Sequence, residues 1–259
     1  TRTTNITTGT WLDKSGLGSN ATSNAGGGAF SMGTMNGVSA VTFPTGSFGF
    51  TANTALASAT GFTTFFVAQI TANGSLGSRF LSSAAGSYQA FASVTSTLPT
   101  QIATFVSPSN FSSNTSPSIA ASTPFMYSST VTSSQFNQWI NGVQNAVAGT
   151  SATFTAASMF IGNFSTPSVG YAFKGQVGEV IVYSGALTTA QRQSVESYLS
   201  RKWKISVPTL ILPQAHPFYS IQPFARYFNP IDVPGCQLWL DAADASTVTG
   251  TTTVTAWKD

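Results

Sequence analysis

The stretch GQVGEVIVYSGALTTAQRQSVESYLSRKW, Gly175 to Trp203, passes from a strand pattern to a helix pattern within a few residues, and it sets the fold class of the chain. Val177, Glu179, Ile181 and Tyr183 fall on one side of an extended segment and Val180 and Val182 on the other, so this strand is expected to be covered on both faces. Ser184-Gly185 ends it. Thr188 with Gln191 is a capping-box signature, in which each side chain satisfies a backbone N–H that a helix start leaves without a partner. Val195, Tyr198, Leu199 and Trp203 then recur as one apolar stripe, while Arg192, Glu196, Arg201, Lys202 and Lys204 lie mostly off it. One helix is predicted to pack on a β-body, with Val180, Val182, Leu199 and Trp203 in the core.

Upstream, nearly everything reads as sheet. FTTFFVAQIT, Phe62 to Thr71, is the strongest strand of the first half. Others are predicted at Arg79 to Ser82, Tyr88 to Val94, Gln101 to Val106, Phe125 to Thr132, Gln135 to Ile140 and Ser158 to Ile161. Ala40 to Phe43 and Phe48 to Thr51 read as short strands separated by a hairpin-like break at Pro44-Thr45-Gly46. Asp13-Lys14-Ser15-Gly16 reads as a turn, and Asn141-Gly142 is the best tight-turn signal in the chain. Many strands, frequent turns and one C-terminal helix predict an all-β fold, an antiparallel jelly-roll β-sandwich.

Composition narrows the function classes. Charged residues make up 7% of the 259 positions, against roughly 25% in an average soluble domain. Ser, Thr, Gly and Ala take their place, which predicts a hydroxyl-coated strand surface, while 42% hydrophobic residues supply a core. Between Lys14 and Lys174 the only basic residue is Arg79, so a nucleic-acid-binding face lacks its charges. No apolar run approaches the ~20 residues that cross a bilayer, so no membrane insertion is expected. Cys236 is the single cysteine and is expected to be a buried small hydrophobe.

From Ser206 to Asp232 six prolines, counting the flanking Pro234, interrupt SVPTLILPQAHPFYSIQPFARYFNPIDVP, which reads as a semi-rigid connector whose aromatics lie along a protein surface. Beyond it, TGTTTVTAWKD at Thr249 to Asp259 echoes NITTGTWLD at Asn5 to Asp13, Trp257 matching Trp11 and Asp259 matching Asp13. The echo predicts a tandem array: residues 1–205 a sandwich without its opening strand, 206–232 a linker, and 233–259 the opening of a second similar domain. An LWLDAADAS-like segment is then expected ahead of Thr1.

The pieces LWLDAADAS (Leu238 to Ser246), NGVSAVTF (Asn36 to Phe43) and the closing FKGQVGEVIVYSGALTTAQRQSVESYLSRKW (Phe173 to Trp203) resemble the laminin-G-like, concanavalin A-like lectin/glucanase superfamily. The connector HPFYSIQPFARYFNPIDVPGCQLWLDAADAS resembles linkers in multidomain proteins of large double-stranded DNA viruses of algae and protists. The two resemblances imply a concanavalin A-like sandwich in a virion or extracellular surface protein.

That fold hosts lectins, adhesion modules and glucanases, so the activity has to be read from residues. A retaining glycosidase needs two carboxylates roughly 5–5.5 Å apart. Between Asp13 and Glu179 the chain has no Asp or Glu. Glu179 is expected to be a structural residue hydrogen-bonded near the helix, and no metal or cofactor is expected, because calcium wants several carboxylate or carbonyl oxygens. His216, the only histidine, has no cysteine or acid near it in sequence, and Gly26-Gly27-Gly28 is not followed by a Lys-Ser/Thr pair. The leading expectation is a non-enzymatic structural and interaction module whose partners are other capsid or surface proteins. The alternative is a lectin module binding host-surface glycans, with Tyr88, Trp139 or Tyr171 stacking on sugar rings. A glycoside hydrolase is a distant third.

Overall fold

The valine-rich segment ahead of the helix is the central strand of the protein, and two sheets and one helix are arranged around it. The computed structural model describes residues 5–6, 9–24, 30–43, 49–52, 61–72, 78–83, 88–92, 102–106, 110–113, 119–149, 158–163, 171–207, 228–244 and 248–249. In chain order the elements are β1 (Asn5–Ile6), β2 (Thr10–Trp11), β3 (Ala21–Ser23), β4 (Phe30–Met35), β5 (Val38–Phe43), β6 (Phe50–Ala52), β7 (Gly61–Ala72), β8 (Ser78–Ser83) and β9 (Tyr88–Ala92). They continue with β10 (Ile102–Val106), β11 (Asn110–Ser113), β12 (Pro124–Thr132), β13 (Gln135–Ile140), β14 (Val143–Gly149), β15 (Met159–Ile161), β16 (Lys174–Ser184), α1 (Thr189–Trp203), β17 (Cys236–Asp241) and β18 (Val248–Thr249). All pairings are antiparallel. The first sheet runs β1-β4-β5-β16-β7-β12-β13-β14 with β17 also on β16, and the second runs β11-β10-β9-β8-β15-β6-β3-β2-β18.

One edge of β16 follows β7 along its length, and the other is shared. Gly175 to Val177 pair with β5, and Glu179 to Tyr183 pair with β17. The change of partner falls at Gly178, where the register against β7 shifts and the Gly178 carbonyl accepts from Ala242 N at 2.9 Å. A bulge adds a residue and reverses the alternation behind it. Val177 therefore joins Val180 and Val182 between the sheets, not the Glu179 side as the simple alternation predicts. Only glycine fits at 178, because a Cβ there would meet the Trp203 ring at 2.7 Å.

Alternation along the central strands builds two cores. Phe62, Phe66, Val180 and Val182 face the second sheet and share a core with its Trp11, Phe50 and Phe80 and with Phe30 of β4. Phe65, Val67, Ile181 and Tyr183 face the other way and are covered by Val195, Leu199 and Trp203 of α1. Val180, Val182, Leu199 and Trp203 are completely buried. The helix opens on the capping box, Thr188 N donating to Gln191 Oε1 at 3.0 Å and Gln191 N to Thr188 Oγ1 at 3.3 Å. It closes on Lys204 in the left-handed conformation, with Asn36 Nδ2 donating to the Trp203 carbonyl at 2.8 Å.

Three expectations are corrected. β5 and β6 do not form a hairpin: β5 belongs to the first sheet and β6 to the second, and the predicted break at Pro44-Thr45-Gly46 lies outside the described residues. Arg192 and Glu196, placed off the apolar stripe, are buried, because the first half of α1 lies against β12 and meets a polar patch there. The hydroxyls are not only a surface coat, since Thr63, Thr64, Thr104, Ser128 and Ser129 are buried. Asn141-Gly142, by contrast, makes the tight turn between β13 and β14 with φ of 51° and 75°.

The segment expected to open a further domain is seated in this sandwich: β17 lies on β16, and β18 pairs with β2 through Val248 opposite Trp11. Residues 208–227 of the connector, with His216, and Gly26-Gly27-Gly28 lie outside the described residues. The connector's described end does follow the protein surface, Phe228 packing 5.7 Å from the Tyr198 ring.

Candidate functional site

The chain's few charges gather where β16, α1, β17 and the turn after β2 meet. Glu179, fully buried, accepts at Oε1 from Trp239 Nε1 (2.6 Å) and Tyr198 Oη (2.9 Å). At Oε2 it accepts from Trp203 Nε1 (2.8 Å) and pairs with Lys202 Nζ (2.9 Å). A carboxylate has about four acceptor positions, so all of Glu179's are taken. Lys202 also reaches Asp241 Oδ1 at 2.6 Å, and Lys14 bridges Asp241 Oδ2 (3.2 Å) and Asp244 (2.9 Å) while lying 4.4 Å over the Trp239 ring. Burial, and then the neighbouring Asp241 charge, hold the Glu179 carboxyl above the usual range against the pull of Lys202. At Lys14 burial works downward, but the Asp244 and Asp241 carboxylates outweigh it and the ammonium is held above its usual value.

Asp13 repeats the pattern at the strand's other side. Its Oδ1 accepts from Ser15 N and Trp239 N, both at 2.9 Å, and its Oδ2 from Ser15 Oγ (2.6 Å) and Ser19 N (2.9 Å). The predicted turn is thus a backbone clip that also holds β17. Asp13 and Glu179, the two acids that bound the carboxylate-free interval, come to flank the same residue, Trp239, one on its backbone and one on its indole.

Glu196 forms a second buried group, paired with Arg192 one turn earlier and accepting from Ser128 Oγ of β12. Burial raises its carboxyl above the ordinary range, with Arg192 opposing. The folded protein therefore holds this proton more tightly than the unfolded chain does. The resulting stability is fully present below the unfolded value, about 4.3, and is lost as pH rises through the raised folded value. Compared with a Glu196→Gln variant, which does not titrate, the wild type should gain stability as pH falls from about 7 to about 4. Urea unfolding of both proteins across that range tests this, and a difference that stayed constant would contradict it.

Of the predicted stacking residues, Tyr88 is corrected. It is fully buried between the sheets, its Oη 2.9 Å from Thr64 Oγ1, 3.0 Å from Ser129 Oγ and 3.0 Å from Tyr127 Oη. Tyr127 continues to Thr104 at 2.8 Å, which donates to Gln138 Oε1 at 2.6 Å. This ladder ties the sheets together and offers no ring face to a ligand. Trp139 and Tyr171 are half-buried, each with an arginine over its ring: Arg192 at 4.0 Å and Arg79 at 4.5 Å. The structure does not bring the three rings into one site. Sequence reasoning missed Lys202, Trp239 and Asp241 as a unit, although Asp241 stands in the quoted LWLDAADAS. Cys236 is buried, its thiol pushed up to about 12 by burial first and by Asp13.

Among the described residues no group of three or more His, Cys, Asp or Glu could hold a metal ion, and no helix is long and apolar enough to cross a membrane. Each described acid accepts at least one hydrogen bond or ion pair, Asp232 from Asn229 N at 2.9 Å.

No family model matches the sequence, and no curated protein matches it. Solved structures do match in fold. Domain 4 of an extracellular arabinanase from Geobacillus stearothermophilus, solved with arabinotriose, is 19% identical over 71% of this chain and 94% of that domain, with a TM-score of 0.51. The enzymatically active domain of tailspike protein 2 from bacteriophage CBA120 is 11% identical over 87% of this chain and 33% of that one, with a TM-score of 0.55. A sialidase from Trypanosoma rangeli, solved with sialic acid, is 14% identical over 74% of this chain and 32% of that one, with a TM-score of 0.51. At these identities the likeness shows the fold alone, an all-β sandwich.

Proposed function

We propose that this chain is a non-catalytic β-sandwich interaction module of a virion or extracellular surface protein, with other capsid or surface proteins as its partners. One observation carries the reading: the carboxylates that would have to perform acid–base or nucleophilic chemistry are spent on holding β17, α1 and the turn after β2 together. Catalysis by paired carboxylates needs two acids with access to one substrate and separated protonation states. Glu179 and Asp241 stand opposite each other in the β16–β17 pair, but Lys202 lies between them and both are buried. The surface role draws on the resemblance of the connector to viral linkers.

Glycan binding is the second reading. It is favoured by the part-exposed Trp139, a ring of the kind that contacts sugars, and by a fold shared with a domain solved with arabinotriose. Reducing-sugar release from β-glucans, alginates and algal wall extracts should stay at background, and any glycan-array signal should survive chelation. Sugar release by the wild-type protein above background would overturn the non-catalytic reading. Signal lost on chelation would overturn the metal-free one.

A further inference from the structure

β17 is held chiefly by residues far from it in sequence. Its backbone pairs with Glu179 to Tyr183, Trp239 N donates to Asp13, Trp239 O accepts from Lys14 N at 2.8 Å, and its side chains engage Glu179, Lys202 and Lys14. Leu238 and Leu240 point into the inter-sheet core, and Trp239 into the core under α1. The body of the protein thus forms a slot with a sequence code: apolar, indole, apolar, carboxylate. The strand reaches it through residues 208–227, which when extended at roughly 3.3 Å each span on the order of 60 Å. The strand's neighbours in sequence point the same way. Thr249 to Asp259 echoes Asn5 to Asp13, so β17 is followed in sequence by an echo of the segment that leads into the gripping turn at Asp13.

We propose that the slot between β16, α1 and the Asp13 turn is an acceptor site for β17 of a second copy of this chain, so that copies link by exchanging this strand. The donated unit is β17 with β18, which enters the two sheets separately, on β16 and on β2. Each of these bonds is the same whichever copy supplies the strand, so exchange costs little beyond losing the intramolecular connection. Main-chain pairing supplies affinity, and the Trp239 and Asp241 sites supply selectivity. This inference stands apart from the glycan reading and needs no ligand.

Two measurements on the full chain test it. A fluorescein-labelled peptide of residues 235–244, GCQLWLDAAD, is titrated into the Trp239→Gly variant, whose own strand has lost its anchor. Saturable binding at least tenfold tighter than that of a control peptide with alanine at positions 239 and 241 is expected. If the variant alone is unfolded, the peptide should restore a cooperative thermal transition. Binding no tighter than the control, without a restored transition, would overturn the acceptor site. Wild-type populations carrying donor and acceptor fluorophores are then warmed together to just below the unfolding transition and cooled. Energy transfer in a dimer-sized fraction is expected, and its absence would overturn the second copy as donor.

Discussion

Replacing Glu179 with alanine should destabilise the protein by about 3–5 kcal/mol, because it breaks a buried ion pair from one side only. The substitution leaves the indole N–H groups of Trp203 and Trp239 and the Tyr198 hydroxyl without their acceptor, and Lys202 with Asp241 as its remaining carboxylate. Each orphaned donor adds its own desolvation cost. Urea unfolding measures the loss. A change within about 0.5 kcal/mol, the size of an ordinary surface substitution, would mean that Glu179 is solvated and the charged cluster is not the lock described.

Trp203→Ala should cost a comparable amount, roughly 3–5 kcal/mol, by a different route. The ring is completely buried at the end of α1, above the Gly178 bulge, and its removal opens a cavity between the helix and the first sheet. Thermal unfolding reads the effect. A loss under about 0.5 kcal/mol would show that the helix is not docked through this residue. The two substitutions share the Trp203 Nε1 to Glu179 bond, so the double variant should lose less than the sum of the single ones.

The fold was legible wherever a local rule acted alone. The capping box at Thr188, the apolar stripe ending at Trp203 and the Asn-Gly turn at 141–142 are each set by a few adjacent residues, and each is present. The same chemistry at Asn36-Gly37, with φ of 51° and 79°, closes the β4–β5 hairpin and lay in plain view within the quoted NGVSAVTF. Legibility ended where tertiary context competes with local pattern. Strict alternation put Val177 beside Glu179, and only the three-way junction of β5, β7 and β17 on β16 reveals why Gly178 must bulge. Helical periodicity likewise set Arg192 and Glu196 mostly off the apolar stripe, whereas Ser128, distant in sequence, turns that face into a buried polar contact.

The site was less legible than the fold. Glu179 was expected to be a structural residue near the helix, and it is hydrogen-bonded there, but its partners come from two separate segments, α1 and β17, and no spacing rule brings Trp239 to Trp203 and Lys202. Tyr88 shows the converse: strand alternation makes such an aromatic more often core than platform, and the facing hydroxyls of Thr64, Ser129 and Tyr127 assign it to the core.

The central claim is that Glu179 works by tying β17 into the sandwich, and a double-mutant cycle with Glu179→Gln and Trp239→Phe tests it most directly. Trp239→Phe removes the indole N–H that donates to Glu179 while keeping most of the ring. The claim predicts a coupling of about 1–3 kcal/mol between the two positions in urea unfolding. Additive losses, with no coupling beyond about 0.3–0.5 kcal/mol, would contradict it.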